Sequence, residues 1–333
     1  MEPFTHLLLS VAAARAGLDR LTRLALPIAI VAGLAADLDW LAALAGPRGF
    51  LVWHRTATHS LVGTVAIALL AATIFAFATR KHAAPVQFLP AFIVGLFAAS
   101  LHVAFDVTQS YGVKLLWPFN ERWFAIDSLS GFDMWIMFLL LLGILLPMLF
   151  HLVSEEIGEQ KKSRSAMTCA LLALFFACIY TGGRYILHMR ALDVLNSRLY
   201  RGQTPSALGA FPDSPSPFHW AGVVVTEDAW LRVDVPVAFA PFDPFSAKVY
   251  FRPPPSAALT AARATPTATL FLSFARFPRA TVEQNDGGYH VEISDMRFEI
   301  GAPAGKSMTA VIDLDPQARV LHEELDFGDL LPR

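Results

Sequence analysis

Charge is what this sequence lacks most. Only 16% of its 333 residues are charged and 55% are hydrophobic, and the mean hydropathy is +0.48, whereas a soluble globular protein carries roughly 25% charged residues. This deficit argues against a purely cytosolic enzyme. The formal net charge is −2, so the chain has no basic excess of the kind that binds nucleic acid.

Cysteine is also scarce, and the N-terminus has no basic segment. Cys169 and Cys178 are nine positions apart on one predicted helix, which places them on opposite faces and excludes an intrahelical disulfide. The opening stretch MEPFTHLLLS has no basic residue before its apolar run. We therefore expect no cleaved signal peptide, and His6 is expected to stay in the mature protein.

What the sequence does contain is a series of long apolar blocks. Four blocks have no Asp, Glu, Lys or Arg, and a fifth has only two aspartates: 56–79, 84–105, 134–150, 166–183 and 24–46. About 20 consecutive apolar residues suffice to span a membrane. The pattern predicts a polytopic α-helical membrane bundle of five to six membrane helices over residues 1–190, in the cytoplasmic (inner) membrane.

The composition changes after residue 200, where 15 of the 22 prolines lie. Segments with the alternation of half-buried strands follow, at 223–237, 267–277, 289–300 and 307–315, and Asp286-Gly287-Gly288 is typical of a hairpin turn. We expect a linker over 191–217 and a soluble, mainly β domain over 218–333.

Basic residues predict the orientation of the bundle. They occupy three short connections, at Arg20 and Arg23, at 80–82 and at 161–164. Short basic loops lie on the cytoplasmic side, which places the β domain outside the cytoplasmic membrane.

Several ionisable residues interrupt the apolar blocks. A charge at membrane depth costs at least ~2.5–3.5 kcal/mol on insertion scales, so each such residue suggests a function. In the predicted topology they all fall near the outer ends of their helices, and a loop histidine lies at the same level: His6, Asp37, Asp39, His59, His102, Asp106 and His54.

The spacings of these residues leave alternatives open. His102 and Asp106 are at i and i+4, which suits either a shared cation or a structural His–Asp hydrogen bond. His54 and His59 converge only if His54 precedes the helix, with Thr56 or Thr58 as the N-cap.

Asp37 and Asp39, at i and i+2, point to different faces of a continuous helix. Either the helix ends there, or only one of them is a ligand and the other orients a neighbouring histidine.

Taken together, these residues predict an open metal site rather than a closed structural one. The set has imidazoles and carboxylates but no thiolate, which suits one or two Zn²⁺ ions, with Mn²⁺ or Mg²⁺ as alternatives. Metal-activated water would then hydrolyse an ester, phosphoester or amide of a lipid-like substrate. The expected metal ligands are His6, Asp37, His59, His102 and Asp106, and the expected catalytic residues are Asp37, Asp39 and His54.

Two rival functions use the same residues. A proton or divalent-ion transporter predicts polar residues at several depths, whereas the cytoplasmic halves of these helices are almost purely apolar. A non-catalytic scaffold would use one metal ion to hold the bundle together while it presents the β domain.

Four ordered motifs carry a resemblance to a known family. THLLLS (5–10), DLDW (37–40), HRTATHSL (54–61) and HVAFDVTQSYGVKLLWPF (102–119) resemble the bacterial membrane-bound metal-dependent hydrolases, also labelled LexA-binding, inner-membrane-associated hydrolases. The resemblance covers about 1–133 and implies the same seven residues as the metal site, with Asp133 at a weaker acidic position. Trp40 stands where some members have a histidine.

The order of the motifs is also similar to that of zinc-dependent phospholipase C and the related single-strand nucleases. This second resemblance slightly favours phosphodiesterase- or phospholipase-like chemistry.

Overall fold

A computed structural model describes residues 2–156, 164–213, 215–238, 241–298 and 308–328. Residues 161–163 of the third basic connection lie outside this part of the chain. The chain divides into two compact units, one made of Met1–Asp39 and Arg55–Ile186 and the other of Trp40–His54 and Leu187–Arg333. The segment Trp40–His54 is grouped with the C-terminal part, and the domain boundary at residue 190 stays a prediction.

Apolar helices form the first unit and supply part of the second. Within the described residues up to Asn196 they are α1 Pro3–Arg15, α2 Ala25–Leu34, α3 Gly46–Trp53, α4 Leu61–Thr79, α5 Phe88–Val107, α6 Met134–Glu156 and α7 Arg164–Asn196. Four stretches among them are long and apolar enough to cross a membrane: Ala25–Trp53, Leu61–Thr79, Phe88–Val107 and Ser165–Asn196. The shorter apolar helix Met134–Phe150 is a fifth apolar segment.

Small residues bring the helices of the first unit close together. A Cβ atom on Gly95 of α5 would lie 3.4 Å from the Cα of Ala68 in α4 and 3.6 Å from the Cβ of Ala32 in α2. Gly33 of α2 lies against Ser10 of α1 in the same way. Such contacts let backbones approach where lipid offers no hydrophobic driving force, and they draw the ends of α1, α2 and α5 together.

The apolar block 24–46, predicted as a membrane helix, is not one continuous α-helix. The α-helix ends at Leu34, and the chain continues as a 3₁₀ helix over Ala35–Ala45 before α3 begins. Asp37 and Asp39 lie in the 3₁₀ segment, and aspartate is a poor residue for an α-helix interior because its side chain competes for backbone hydrogen bonds. The tighter winding changes the directions of both carboxylates.

The start of α4 also differs from its prediction. Ser60, rather than Thr56 or Thr58, is the N-cap, and its hydroxyl accepts a hydrogen bond from the Gly63 N–H. His59 therefore lies just before the helix. The hydroxyl of Thr58 donates instead to Asp39.

Two four-stranded antiparallel sheets form most of the second unit. Their orders are β1-β2-β3-β4 and β5-β6-β7-β8. The strands are β1 Ala207–Pro212, β2 His219–Val225, β3 Ala229–Pro236, β4 Lys248–Phe251, β5 Pro278–Asn285, β6 Gly288–Asp295, β7 Thr309–Leu314 and β8 Val320–Asp326. The prediction of a soluble β domain is confirmed, and the Asp286-Gly287 hairpin joins β5 to β6 through the pair Asn285 and Gly288.

The prediction of a strand over 267–277 is wrong. Residues Ala257–Arg263 and Pro266–Phe274 form helices α8 and α9. The Thr265 hydroxyl caps α9 by accepting from the Ala268 N–H, and Pro266 follows at the start of the helix, where proline is favoured. Ala268, Phe271 and Phe274 are buried on one helical face, and this spacing outweighs the β-like composition.

The stretch 191–217 is not a plain linker. Helix α7 continues to Asn196, and β1 begins at Ala207. Leu195 is fully buried in the second unit with Trp220, Leu231 and Val235. Leu195 of this stretch therefore contributes to the core of the second unit.

Candidate metal centre

Four side chains of the first unit converge at one buried point. His6 of α1, Asp37 of the 3₁₀ segment and His102 and Asp106 of α5 each offer one ligand atom, and these atoms lie within 4.8 Å of one another. His6, His102 and Asp106 are each at most 1% exposed. Residues from three separate parts of the sequence are thus gathered as a potential metal site.

The hydrogen bond of His102 Nδ1 fixes the tautomer of this histidine. Its Nδ1 lies 2.6 Å from the carbonyl oxygen of Gly33, and because a carbonyl only accepts, Nδ1 carries a proton. Nε2 therefore points its lone pair toward the cluster, 3.7 Å from Asp37 Oδ1 and 3.5 Å from Asp106 Oδ2. A histidine held in this way is typical of a metal ligand.

His59 joins the same point from the loop before α4. Its Nε2 lies 3.1 Å from Asp106 Oδ2 and 3.1 Å from His102 Nε2, while its Nδ1 lies 3.0 Å from Asp39 Oδ2. The two Nε2 atoms share a hydrogen bond when one of them carries a proton, and both can bind one metal ion when neither does.

Asp39 lies behind His59 rather than at the point of convergence. Its Oδ2 accepts hydrogen bonds from the Thr58 hydroxyl at 2.8 Å and from the Arg55 N–H at 2.7 Å, in addition to the contact with His59. Asp37 is thus one of the potential ligands, whereas Asp39 orients His59.

Buried atoms without partners support a metal ion at this point. Among the described residues, His6 Nδ1 and Asp37 Oδ2 are buried and have no hydrogen-bond partner. A buried polar atom without a partner costs roughly 1–3 kcal/mol. The His6 ring also stacks on His102 with centroids 3.6 Å apart. Imidazoles and carboxylates arranged in this way suit a borderline divalent ion such as Zn²⁺.

Arg55 is a residue of this site that the sequence analysis missed. Its guanidinium Nη2 lies 3.2 Å from Asp106 Oδ1 and 3.2 Å from Gln109 Oε1, and the residue is 6% exposed. Its backbone has φ of 56°, a conformation that a non-glycine residue adopts only when its surroundings hold it there. The sequence pattern that could have indicated its role is its position between His54 and His59, next to a block without charge.

His54 lies in the second unit. Its ring stacks on Phe50 with centroids 4.3 Å apart and meets the edge of Trp40 at 5.1 Å. A catalytic role for His54 stays a prediction.

Asp133 serves the fold of the first unit. Its Oδ1 accepts from the backbone N–H groups of Trp135 and Ile136 at the start of α6, and its Oδ2 accepts from the Tyr180 hydroxyl. Such caps satisfy the free N–H groups of a helix start. The structure thus places this weaker acidic position at a helix cap.

Comparison with known proteins supports the inner-membrane assignment. The sequence model of the YdjM inner membrane protein family matches residues 1–190, which include every residue of the cluster. The uncharacterized protein YfhP of Bacillus subtilis is 27% identical over 142 residues, which make up 40% of this chain and 42% of YfhP. The comparison with solved structures gives no significant match.

Proposed function

The chain belongs to the YdjM inner membrane protein family, and from this premise we propose that it is a membrane-embedded metal-dependent hydrolase. The bond it cleaves is an ester, phosphoester or amide of a lipid-like substrate. The observation that carries the proposal is the convergence of ligand atoms from His6, Asp37, His102 and Asp106 within 4.8 Å of one another.

The proposed ligands are His6, His59, His102 and Asp106, with Asp37 completing the set. One or two Zn²⁺ ions suit these donors best, and Mn²⁺ or Mg²⁺ are the alternatives. When bound, such an ion supplies Lewis acidity, which makes water a better nucleophile near neutral pH and polarises the bond to be broken.

Asp37 and Asp39 have separate roles in the proposed reaction. Asp37 Oδ2, which has no hydrogen-bond partner among the described residues, accepts a proton from the attacking water. The water oxygen adds to the acyl or phosphoryl centre, the bond to the leaving group breaks with its electron pair, and the leaving group takes up the proton that Asp37 received from the water. Asp39 acts through His59 by holding its ring.

A lipid-like substrate follows from where the cluster lies along the helices. In α5, His102 comes 14 positions after Phe88, or about 21 Å along the helix axis at 1.5 Å per residue. The basic connections with Arg20, Arg23 and Arg80 lie at the other ends of these helices. With those connections in the cytoplasm, the cluster meets head groups and glycerol esters at the outer face, and the C-terminal unit is extracytoplasmic.

Metal analysis of the purified full-length protein is the first test. We expect wild type to hold metal, His102→Ala and Asp106→Asn to lose it, and His82→Ala, on the exposed connection after α4, to keep it. A turnover screen against a lipid extract, with and without chelator, follows.

Metal that persists in both cluster variants would overturn the proposed site. A metal-loaded protein that turns over no substrate class would contradict the hydrolase and favour a metal that only stabilises the bundle.

A further inference from the structure

Arg55 narrows the class of substrate. Resting on the hydrolase proposed above, we infer that the Arg55 guanidinium binds the anionic oxygens of a phosphoryl group, so that the substrate is a phosphoester rather than a carboxyl ester or an amide.

The guanidinium is held directly beside the proposed ligands. Its Nη2 lies 3.2 Å from Asp106 Oδ1, and the same oxygen lies 3.2 Å from His6 Nε2. At the other end of the residue, the Arg55 N–H donates to Asp39 at 2.7 Å and its carbonyl accepts from the Lys114 N–H at 2.9 Å. The Tyr111 ring lies 5.2 Å from the guanidinium carbon. Arg55 is thus fixed at both ends.

The guanidinium has more donors than its neighbours use. Nη2 serves Asp106 and Gln109, whereas Nε and Nη1 are buried and have no hydrogen-bond partner among the described residues. The side chain as a whole is 8% exposed. Leaving charged donors buried without acceptors is costly, and an oxyanion that enters the site provides the missing acceptors.

Neutralising Asp106 does not by itself account for these donors. Asp106 carries one negative charge, which a single lysine ammonium would balance. Its Oδ1 also accepts a 2.7 Å hydrogen bond from the Gln109 amide. A planar guanidinium is the group that recognises phosphate. The group that reacts in a carboxyl ester or an amide is neutral and offers no anion to it, whereas the group that reacts in a phosphodiester or phosphomonoester carries a negative charge.

The reaction is then phosphoester hydrolysis with water as the only co-reactant. A new bond forms from the water oxygen to phosphorus, and the bond from phosphorus to the alcohol oxygen breaks with its electron pair. That oxygen takes up the proton that Asp37 received from the water, and it leaves as the alcohol. Arg55 stays protonated throughout and holds the non-bridging oxygens.

Inorganic phosphate is the probe of this inference. In calorimetric titrations of the full-length, metal-loaded protein, we expect wild type to bind phosphate in preference to acetate. Arg55→Lys keeps the positive charge but loses the planar array of N–H donors. This variant should bind phosphate at least tenfold more weakly than wild type, with unchanged metal content. Arg122→Lys, at an exposed arginine of the same unit, is the matched control and should behave as wild type.

Two nitrophenyl substrates, a phosphodiester and a carboxyl ester, give the second readout. Arg55→Lys should lower kcat/KM for the phosphodiester at least tenfold more than for the carboxyl ester. Equal phosphate affinity in wild type and Arg55→Lys would overturn the inference, as would turnover of only the carboxyl ester by a metal-loaded protein. A wild type that holds no metal and cleaves neither substrate would instead refute the hydrolase. If Arg55→Lys does not fold, phosphate should still compete better than acetate against turnover by wild type.

Discussion

At the scale of single residues, the site depends on side chains that orient the proposed ligands. Asp39 is the clearest case, because it lies 3.0 Å from His59 Nδ1 and also holds Thr58 and the Arg55 backbone. Its carboxylate fixes which nitrogen of His59 faces the cluster. Removing such a partner typically costs 10–100-fold in metal affinity.

Asp39→Asn therefore tests the orienting role. We expect metal affinity, measured by competition with a chromogenic chelator, to fall by about 10–100-fold while the helical content stays unchanged. Asp19→Asn, at an exposed position between α1 and α2, is the control. Equal affinities in Asp39→Asn and wild type would show that Asp39 does not act through His59.

In the C-terminal unit, His290 gives a pH-dependent contribution to stability. A 2.7 Å hydrogen bond with Asp313 raises the pKa of His290 above its ordinary value. The contribution is fully present below the unfolded pKa, about 6.5, and is lost as pH rises through the folded pKa. Asp313→Asn should therefore lower the midpoint of thermal unfolding more at about pH 5.5 than at about pH 8.5, and Asp286→Asn should show no such difference.

At the scale of elements, the loop before α4 is positioned by close backbone contact. A Cβ atom on Gly63 would lie 1.9 Å from the carbonyl oxygen of Ala57 and 3.1 Å from the carbonyl carbon of Thr58. The first turn of α4 thus packs directly on the backbone next to His59. Only glycine fits this contact without moving the loop.

Gly63→Ala is expected to displace that loop. The protein should lose roughly 1–3 kcal/mol of stability, the usual cost of overpacking, and metal affinity should fall as well because His59 moves. Gly182→Ala in α7 is the matched control, since no described atom lies within 4 Å of its added Cβ. Thermal unfolding and metal competition on the three proteins measure both effects, and equal losses in both variants would contradict the account.

Elements with a strong local signal could be predicted, and elements set by tertiary contacts could not. The membrane helices follow from apolar runs such as 56–79, and the hairpin at Asp286 follows from its turn residues. Helix α9 was missed because its composition is typical of a strand, whereas the helical spacing of its buried residues and the Thr265 cap decide the outcome. Within the site, the spacing of His102 and Asp106 was readable, but Arg55 reaches Asp106 only through the fold.

At the scale of the whole molecule, exposed apolar side chains agree with a membrane location. Leu70, Phe77, Leu89 and Phe175 are between 57% and 64% exposed on α4, α5 and α7. Exposure of this kind over several long apolar helices is expected where lipid covers them.

The proposed orientation can be tested by labelling in intact cells. In a background without Cys169 and Cys178, we expect a membrane-impermeant maleimide to label Gln317→Cys, an exposed position in the C-terminal unit. It should label His82→Cys only after the membrane is opened. The reverse pattern would place the C-terminal unit and the cluster toward the cytoplasm.

The hydrogen bond from the Arg55 N–H to Asp39 closes a loop in the chain. The segment Trp40–His54 begins directly after Asp39 and ends directly before Arg55. The two residues that flank this segment are therefore joined by the hydrogen bond beside the cluster. Holding loop ends together removes conformational entropy from the segment between them. An ion bound beside this closure would therefore restrain the segment, and metal loading should slow amide hydrogen exchange in Trp40–His54, which contains none of the proposed ligands.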